Sequence, residues 1–552
     1  MDINAEIEVA MGKKPPEMVL ANASILNVFT DETRLGDVAI YKGKIVGVGD
    51  FEAKKKIDLR GKYLSPGFID GHVHLESSMV SVPQFARAVV PVGTLTVVAD
   101  PHEILAVRGV KGLKYLYGSS KNLPLDIFFT LPFSMLKELS IPSRKIVGIG
   151  EIDLGELVNI LKQEKKPYQF KKLLTHKRLC GHAPGVTGNL LSAYLVGKID
   201  SDHETNTLSE MEEKLRMGMH IMVRSIYQAK NLVQLRNSHQ GTFLQRSLIA
   251  TDDTDPLSLI QNGHVNYVVK KLLDEGMDPI ESIRMATINV AQYYGLEGLG
   301  AIAPGYFADV LVLDGLRNLE INMVFKRGRL VAKDGVPLFQ DETPALDEEI
   351  LKTVKIGPVS LRHLKVLTRK DKENVIHVTE REGISIWVRP EKIRIENGYA
   401  VSDTEHDVLK LVVVDRYSGE VRIRFAFVSG FSLEEGCLAS SIQHDAHNIV
   451  CLGCNDEDML WAIRRIAELN GGLVAVGGKR SEELALPIAG LMSNRSIVCV
   501  SNKLIMLNRM AHELGTKFKK PFHVLSFLSI PLNSPNRKSV SSKDSISRES
   551  RI

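Results

Sequence analysis

Between about Pro66 and Gly300, short apolar runs alternate with longer stretches of helical texture, and this alternation restricts the fold more than any other feature of the chain. Strands are expected at Thr94 to Ala99, Asp126 to Thr130, Ile146 to Ile149, Gly218 to Val223 and Ser247 to Ala250. Helices are expected at Ser209 to Met217 and at Asp278 to Tyr294, where apolar residues recur three and four apart. Repeated βα units over roughly 230 residues predict an α/β fold, a TIM-like (β/α)8 barrel with its functional groups at the C-terminal ends of the strands.

The chain has 552 residues, too many for one hydrophobic core. Before the barrel, short strands divided by turns are expected, as in Val38 to Val48, where Lys42-Gly43-Lys44 reads as a hairpin turn. The same texture returns at Ala308 to Leu313 and Met323 to Val331. Residues 17–65 and 301–337 are therefore predicted to form one small composite β-sandwich domain contributed by both flanks of the barrel, which occupies 66–300. Longer strands follow, such as Leu411 to Val414 and Val421 to Val428, with a helix near Asp456 to Leu469, predicting a C-terminal α+β domain over 338–532. Residues 533–552, rich in Ser, Lys and Arg, read as a disordered tail.

Composition narrows the function classes. With 44% hydrophobic and 25% charged residues the chain resembles ordinary soluble proteins, and a net charge of +4 without interleaved aromatic and basic residues argues against nucleic acid as a partner. No stretch stays apolar and uncharged for the roughly 18 residues that crossing a membrane requires. The acidic start Met1-Asp2-Ile3-Asn4-Ala5-Glu6 lacks the order of a signal peptide. Five cysteines, few and odd in number, predict no disulfide framework and fit a reducing cytoplasm. Cys451 and Cys454 could be half of a zinc site, but no proline precedes them, and the one His-x-Glu, His74-Leu75-Glu76, lies in another motif; both are expected as buried thiols in a strand.

His72-Val73-His74 ends an apolar run, and alternate strand residues share a face, so both imidazoles can grip one divalent ion. Taken alone, a histidine is more often a buried side chain with its hydrogen bonds satisfied. Here Glu151, His182, His203 and Asp252 follow at wide intervals. Imidazole and carboxylate without thiolate suit zinc, manganese or iron. The ligands are too many for one four-coordinate site, which predicts a binuclear divalent centre sharing a carboxylate and generating hydroxide as nucleophile. Asp252 could hold metal, take the proton of the attacking water and pass it to a leaving amine. It is expected as the ligand ahead of Asp253, which lies farther from the strand end. His203 would complete the set, and Gly181 and Gly185 would let the His182 loop approach closely.

A second cluster, Asp100-Pro101-His102-Glu103, belongs to the same face. Glu103 or Asp100 could protonate a ring nitrogen as hydroxide adds to the neighbouring carbon, or Glu103 could only orient a neighbour. Glu76, Ser77 and Ser78 are further polar groups at the mouth, and Glu76, His102 and Asp253 are candidate substrate contacts. His444 and His447 have two open readings, a contact to substrate or metal and a structural hydrogen-bonding role.

The strings Pro66 to Ser78, Ala99 to Ile104, Cys180 to Gly185, Asp202-His203-Glu204 and Thr251-Asp252-Asp253 together resemble the adenine deaminases of the amidohydrolase superfamily. The likeness continues through Gln443 to Asn448, Gly453 to Met459 and Leu486 to Ser493, and covers roughly residues 17 to 530. It implies a (β/α)8 barrel flanked by a small β domain, and conversion of adenine and water to hypoxanthine and ammonia. It also implies His72, His74, Glu151, His182, His203 and Asp252 as metal ligands, Glu151 bridging, with iron or manganese expected and zinc a common substitute. The assembly expected is a homo-oligomer, a dimer. Three departures stand out: Arg224-Ser225-Ile226-Tyr227 replaces the family's Arg-Glu-Gly-Ser after the sixth strand, Thr254-Asp255-Pro256 lacks a basic residue, and the Ser-rich tail replaces the usual ending. Two rival readings remain, a dihydroorotase-like cyclic amidohydrolase, many of which bridge their metals through a carboxylated lysine, and a non-catalytic metal-binding homologue.

Overall fold

In a computed structural model of the chain, residues 3–132, 135, 141–162, 177–238, 241–340, 347–380, 383–444, 446–529 and 550–551 are described. They divide into two compact units, the first made of 1–78, 82–102 and 116–343, the second of 79–81, 103–115 and 344–552.

The first unit contains, among the described residues, an eight-stranded parallel sheet: β1 (Phe68–Val73), β2 (Thr94–Ala99), β3 (Asp126–Leu131), β4 (Ile146–Ile152), β5 (Arg178–Gly181), β6 (Ile199–Asp202), β7 (His220–Val223) and β8 (Ser247–Ile249). Neighbours in sequence are neighbours in the sheet, as right-handed βα units require. The ends meet at Val73 and Asp252, with Asp252 N donating to His72 O at 2.9 Å, so the sheet curls towards a closed barrel. Ile69, Val98, Val147, Cys180, Met222, Leu248 and Ala250 form its core with Tyr293 and Tyr294. Buried Asp70 reinforces the seam, accepting from His72 N at 3.1 Å and from the Thr251 hydroxyl at 2.5 Å.

The sequence expectation differs from this barrel in three places. β5 and β6 were not expected as strands, so the strand before Arg224 is the seventh rather than the sixth. The helix expected over Asp278 to Tyr294 is two helices, Pro279–Met285 and Ile288–Tyr294. The Ala286 carbonyl accepts from Ile69 N at 2.8 Å, taking it out of the helical ladder. The strand expected from Gly218 begins at His220, Gly218 adopting a φ of 91° in the preceding turn.

Among the described residues the two flanks of the barrel join one nine-stranded sheet, in which Tyr63–Pro66 pairs antiparallel with Val310–Gly315. Tyr41 faces Lys44 across the turn containing Lys42 and Gly43, both at positive φ, as a tight hairpin needs. Lys326, on the strand Glu320–Lys326, donates to Asp309 at 2.6 Å and to the Leu95 carbonyl at 3.0 Å, and lies 2.8 Å from Asp126. Burial would raise the Asp126 carboxyl, but the Lys326 charge overrides it and holds it at about 2. A depressed carboxylate stabilises the fold above its unfolded pKa and loses that contribution as pH falls through the folded value. Lys326→Met is therefore expected to cost about 3 kcal/mol at pH 7 by taking the ammonium away from buried Asp309 and half-buried Asp126. In denaturant titrations the gap to wild type should narrow as pH drops from about 4 towards 2.

Among its described residues the second unit centres on another nine-stranded sheet, with Val408–Val414 between Ile423–Ser429 and Ile449–Gly453. The helix Asp456–Glu468 presents Met459, Ala462, Ile463 and Ile466 to Val412, Cys437, Cys451 and Val474. Cys451 is buried in its strand as expected, but Cys454 lies past the strand end and is only partly buried. Burial pushes its thiol up to about 12, so it stays protonated. Residues 533–549 and 552, the body of the expected tail, lie outside the described residues; Ser550 and Arg551 pair with Ile386 and Ser385.

Candidate metal centre

The barrel brings His72, His74, Glu151, His203 and Asp252 to one place because each lies at or just past the C-terminal end of β1, β4, β6 or β8. The Nε2 atoms of His72 and His74 are 3.2 Å apart. Glu151 Oε1 lies 3.2 Å from each of them and 3.6 Å from His203 Nε2, while Asp252 Oδ1 lies 3.1 Å from His74 and 3.6 Å from His72. His182 Nδ1 lies 3.2 Å from His203 Nε2, which makes His203 common to two sets of converging donors, His72, Glu151 and Asp252 on one side and His182 and Glu204 on the other.

Orientation within the cluster suits metal binding. His74 Nδ1 faces the Asp100 carbonyl at 2.9 Å; an N–H there donates to that carbonyl and leaves Nε2 as a lone pair facing the cluster. Glu151 and Asp252 both adopt left-handed backbone, at φ 49° and 58°, a conformation that costs residues with a Cβ energy and concentrates at functional sites. Gly150 admits Glu151 to this position, since a Cβ there would fall inside the Asp100 carboxylate.

The charges are arranged to match. Burial opposes ionisation of Glu151, but His102 and His74 hold it well below the usual carboxylate range. Burial likewise opposes ionisation of Asp252, and Arg224, whose Nη1 donates to Asp252 Oδ2, keeps it well below its ordinary value. His72 is raised to about 9 despite burial, through hydrogen bonds with Asp252 and Glu151, and His74 is raised by the Glu151 charge. His203 is pushed down to about 3 by burial and the neighbouring His72 charge, so its ring is neutral at pH 7. Several imidazole nitrogens crowded around ionised carboxylates at these separations form a donor set that fits divalent cations in place of protons.

The remaining candidates fall into three groups. Asp100 is buried, with Oδ2 accepting from the Thr130 hydroxyl at 2.8 Å and Oδ1 from His102 N at 3.2 Å; His102 Nδ1 lies 3.3 Å from Glu151 Oε2. Glu76 is buried next to Ser77, whose hydroxyl donates to Asp253, and Asp253 converges with His74 and Asp252. Glu103, His444 and His447 belong to the second unit, where Glu103 Oε1 lies 3.8 Å from His444 Nδ1 and the His444 ring stacks on Phe527 at 4.4 Å.

The sequence matches the Amidohydrolase family over residues 63–331 and the Adenine deaminase C-terminal domain over residues 388–538. It is 39% identical to Adenine deaminase 2 of Carboxydothermus hydrogenoformans across 95% of each chain. Identity to the adenine deaminase of Kosmotoga olearia is 38% over 96% of this chain and 95% of that one. The chain belongs to the adenine deaminase family. The adenine deaminase of Clostridium acetobutylicum is similar to the same degree, 38% over 96% of both chains.

For a member of this family, two residues at the site were not singled out from sequence. Arg224, noted only for the glutamate missing beside it, donates to Asp252, to Glu204 at 2.6 Å and to the His203 carbonyl at 3.2 Å. Glu204, part of the Asp-His-Glu string, thereby brings a carboxylate to Arg224 from the end of β6. Its position directly after a candidate ligand was the available signal.

Proposed function

We propose that the chain hydrolyses adenine to hypoxanthine and ammonia at the barrel site. The observation that carries this reading is the convergence of His72, His74, Glu151, His203 and Asp252 at the strand ends of a chain aligned almost end to end with adenine deaminases. His72, His74, Glu151, His182, His203 and Asp252 would hold two divalent ions, Glu151 between them, with manganese or iron preferred. When bound, such a pair supplies an activated water at neutral pH.

The chain's own groups do the rest. Asp252, kept ionised by Arg224, accepts the proton of the attacking water and delivers it to the departing amine, which leaves poorly unless protonated. His102, anchored by Asp100, and Glu76 and Asp253 orient the purine; Glu103 is retained as a proton donor to the ring on its place in Asp100-Pro101-His102-Glu103 alone. We place the barrel at 66–300, the composite β domain at 17–65 and 301–337 and the start of the C-terminal domain near residue 338, and expect a homodimer in the cytoplasm; among the described residues no helix is long and apolar enough to cross a membrane.

The test is a metal-reconstituted assay of adenine, adenosine, cytosine and dihydroorotate in parallel, following ammonia from the first three and ring opening of the last. Ammonia from adenine in preference to the others is expected. Turnover of dihydroorotate instead would favour cyclic amide hydrolysis, and a metal-loaded protein inert towards all of them would sink the enzymatic reading.

A further inference from the structure

His182 and His203 sit on separate loops after β5 and β6, and a single buried ammonium fastens both loops. Lys214, on the helix Leu208–Arg216, has no exposed surface. Its Nζ, with three N–H donors, lies within hydrogen-bonding distance of four acceptors, the Ala183 carbonyl at 2.6 Å, Asp202 Oδ2 at 2.9 Å, the Thr205 hydroxyl at 3.2 Å and Glu210 Oε1 at 2.6 Å. Asp202 Oδ1 in turn accepts from Ala183 N at 2.8 Å and Glu204 N at 3.2 Å, and Glu210 accepts from Gly185 N at 2.8 Å. The residue after His182 and the residues on both sides of His203 are thus tied to one buried ion cluster.

His72, His74 and Asp252 are secured without Lys214. His72 and Asp252 are joined backbone to backbone across the barrel seam at 2.9 Å, and His74 is oriented by the Asp100 carbonyl. We propose that Lys214 is a positioning residue that sets the spacing of His182 and His203, and with it the affinity for the second of two metal ions. This rests on the reading of those histidines as ligands. Removing the ammonium strands Asp202 and Glu210 as buried carboxylates and frees the two loops to part, while the His72, His74 and Asp252 arrangement keeps its backbone support.

The experiment reloads chelator-treated Lys214→Met with Mn2+ and reads metal content by mass spectrometry and the electron paramagnetic resonance spectrum. Wild type is expected to hold two ions with an exchange-coupled spectrum. Lys214→Met should show the spectrum of isolated Mn2+, with affinity for the second ion down by roughly 10- to 100-fold. Lys326→Met, which breaks a buried ion cluster elsewhere in the same unit, should lose stability yet keep the coupled spectrum, so general weakening of the fold cannot mimic the result. Should Lys214→Met not fold, Glu210→Gln, nearly identical in shape, is expected to weaken the second ion in the same direction. A coupled two-ion spectrum with wild-type affinity in the folded variant overturns the proposal alone. A wild type that never takes up a second ion overturns it together with the binuclear reading.

Discussion

Asp252→Asn is expected to lower ammonia release from adenine by roughly 10³-fold, the scale of a lost general acid–base group. Asparagine is the informative replacement because Asp252 sits at φ 58°, where an Asn side chain is tolerated and most others are strained. It preserves shape and backbone while removing the charge that pairs with Arg224 and the basic oxygen that would carry the proton. Alanine would add backbone strain and a hole, and its inactivity would say less. The comparison is initial rates at saturating metal, with circular dichroism confirming that both proteins are folded. A variant within about tenfold of wild type would remove Asp252 from the proton path.

Metal affinity is expected to depend steeply on pH. His72 is raised to about 9 and His74 is raised above its ordinary value, so at pH 7 both rings hold protons that entering ions must displace. Raised pKa values make the protonated cluster the competitor, and the competition fades as pH approaches the pKa. Apparent affinity should therefore climb by about tenfold per pH unit for each proton displaced from pH 6 upwards, the His72 contribution levelling off near 9. His203, already neutral, adds nothing to the slope. Calorimetric titrations of chelator-stripped protein in buffers of different ionisation heat count the protons directly. Affinity that is flat between pH 6 and 8 would mean that His72 and His74 hold no protons for entering ions to displace.

The same features explain how much could be read without the structure. β2, β3 and β4 announce themselves because their runs of Val, Ile, Phe and Leu are buried along most of their length. β5 and β6 are only four residues each, Arg-Leu-Cys-Gly and Ile-Asp-Ser-Asp, and polar groups that serve the site and the barrel replace the apolar pattern. Their histidines were legible only as strings. The break between the two helices after Asp278 was hidden because both halves bury apolar residues, Ile280, Ile283 and Met285 in the first and Ile288, Val290 and Ala291 in the second, so the spacing runs through the break; the Ala286 carbonyl that ends the first helix bonds to Ile69, far away in sequence. Arg224 and Lys214 escaped notice for a related reason, since a lone basic residue on a loop or an amphipathic helix reads as solvated surface until its buried partners are known.

The central requirement is that two ions held at the barrel mouth act on adenine. Its most direct test is to titrate stripped protein with Mn2+ at pH 8 while following conversion of adenine to hypoxanthine by ultraviolet absorbance. Turnover absent without metal, rising as metal is added and reaching a plateau at two equivalents is the predicted result; full loading with adenine left unchanged would contradict it.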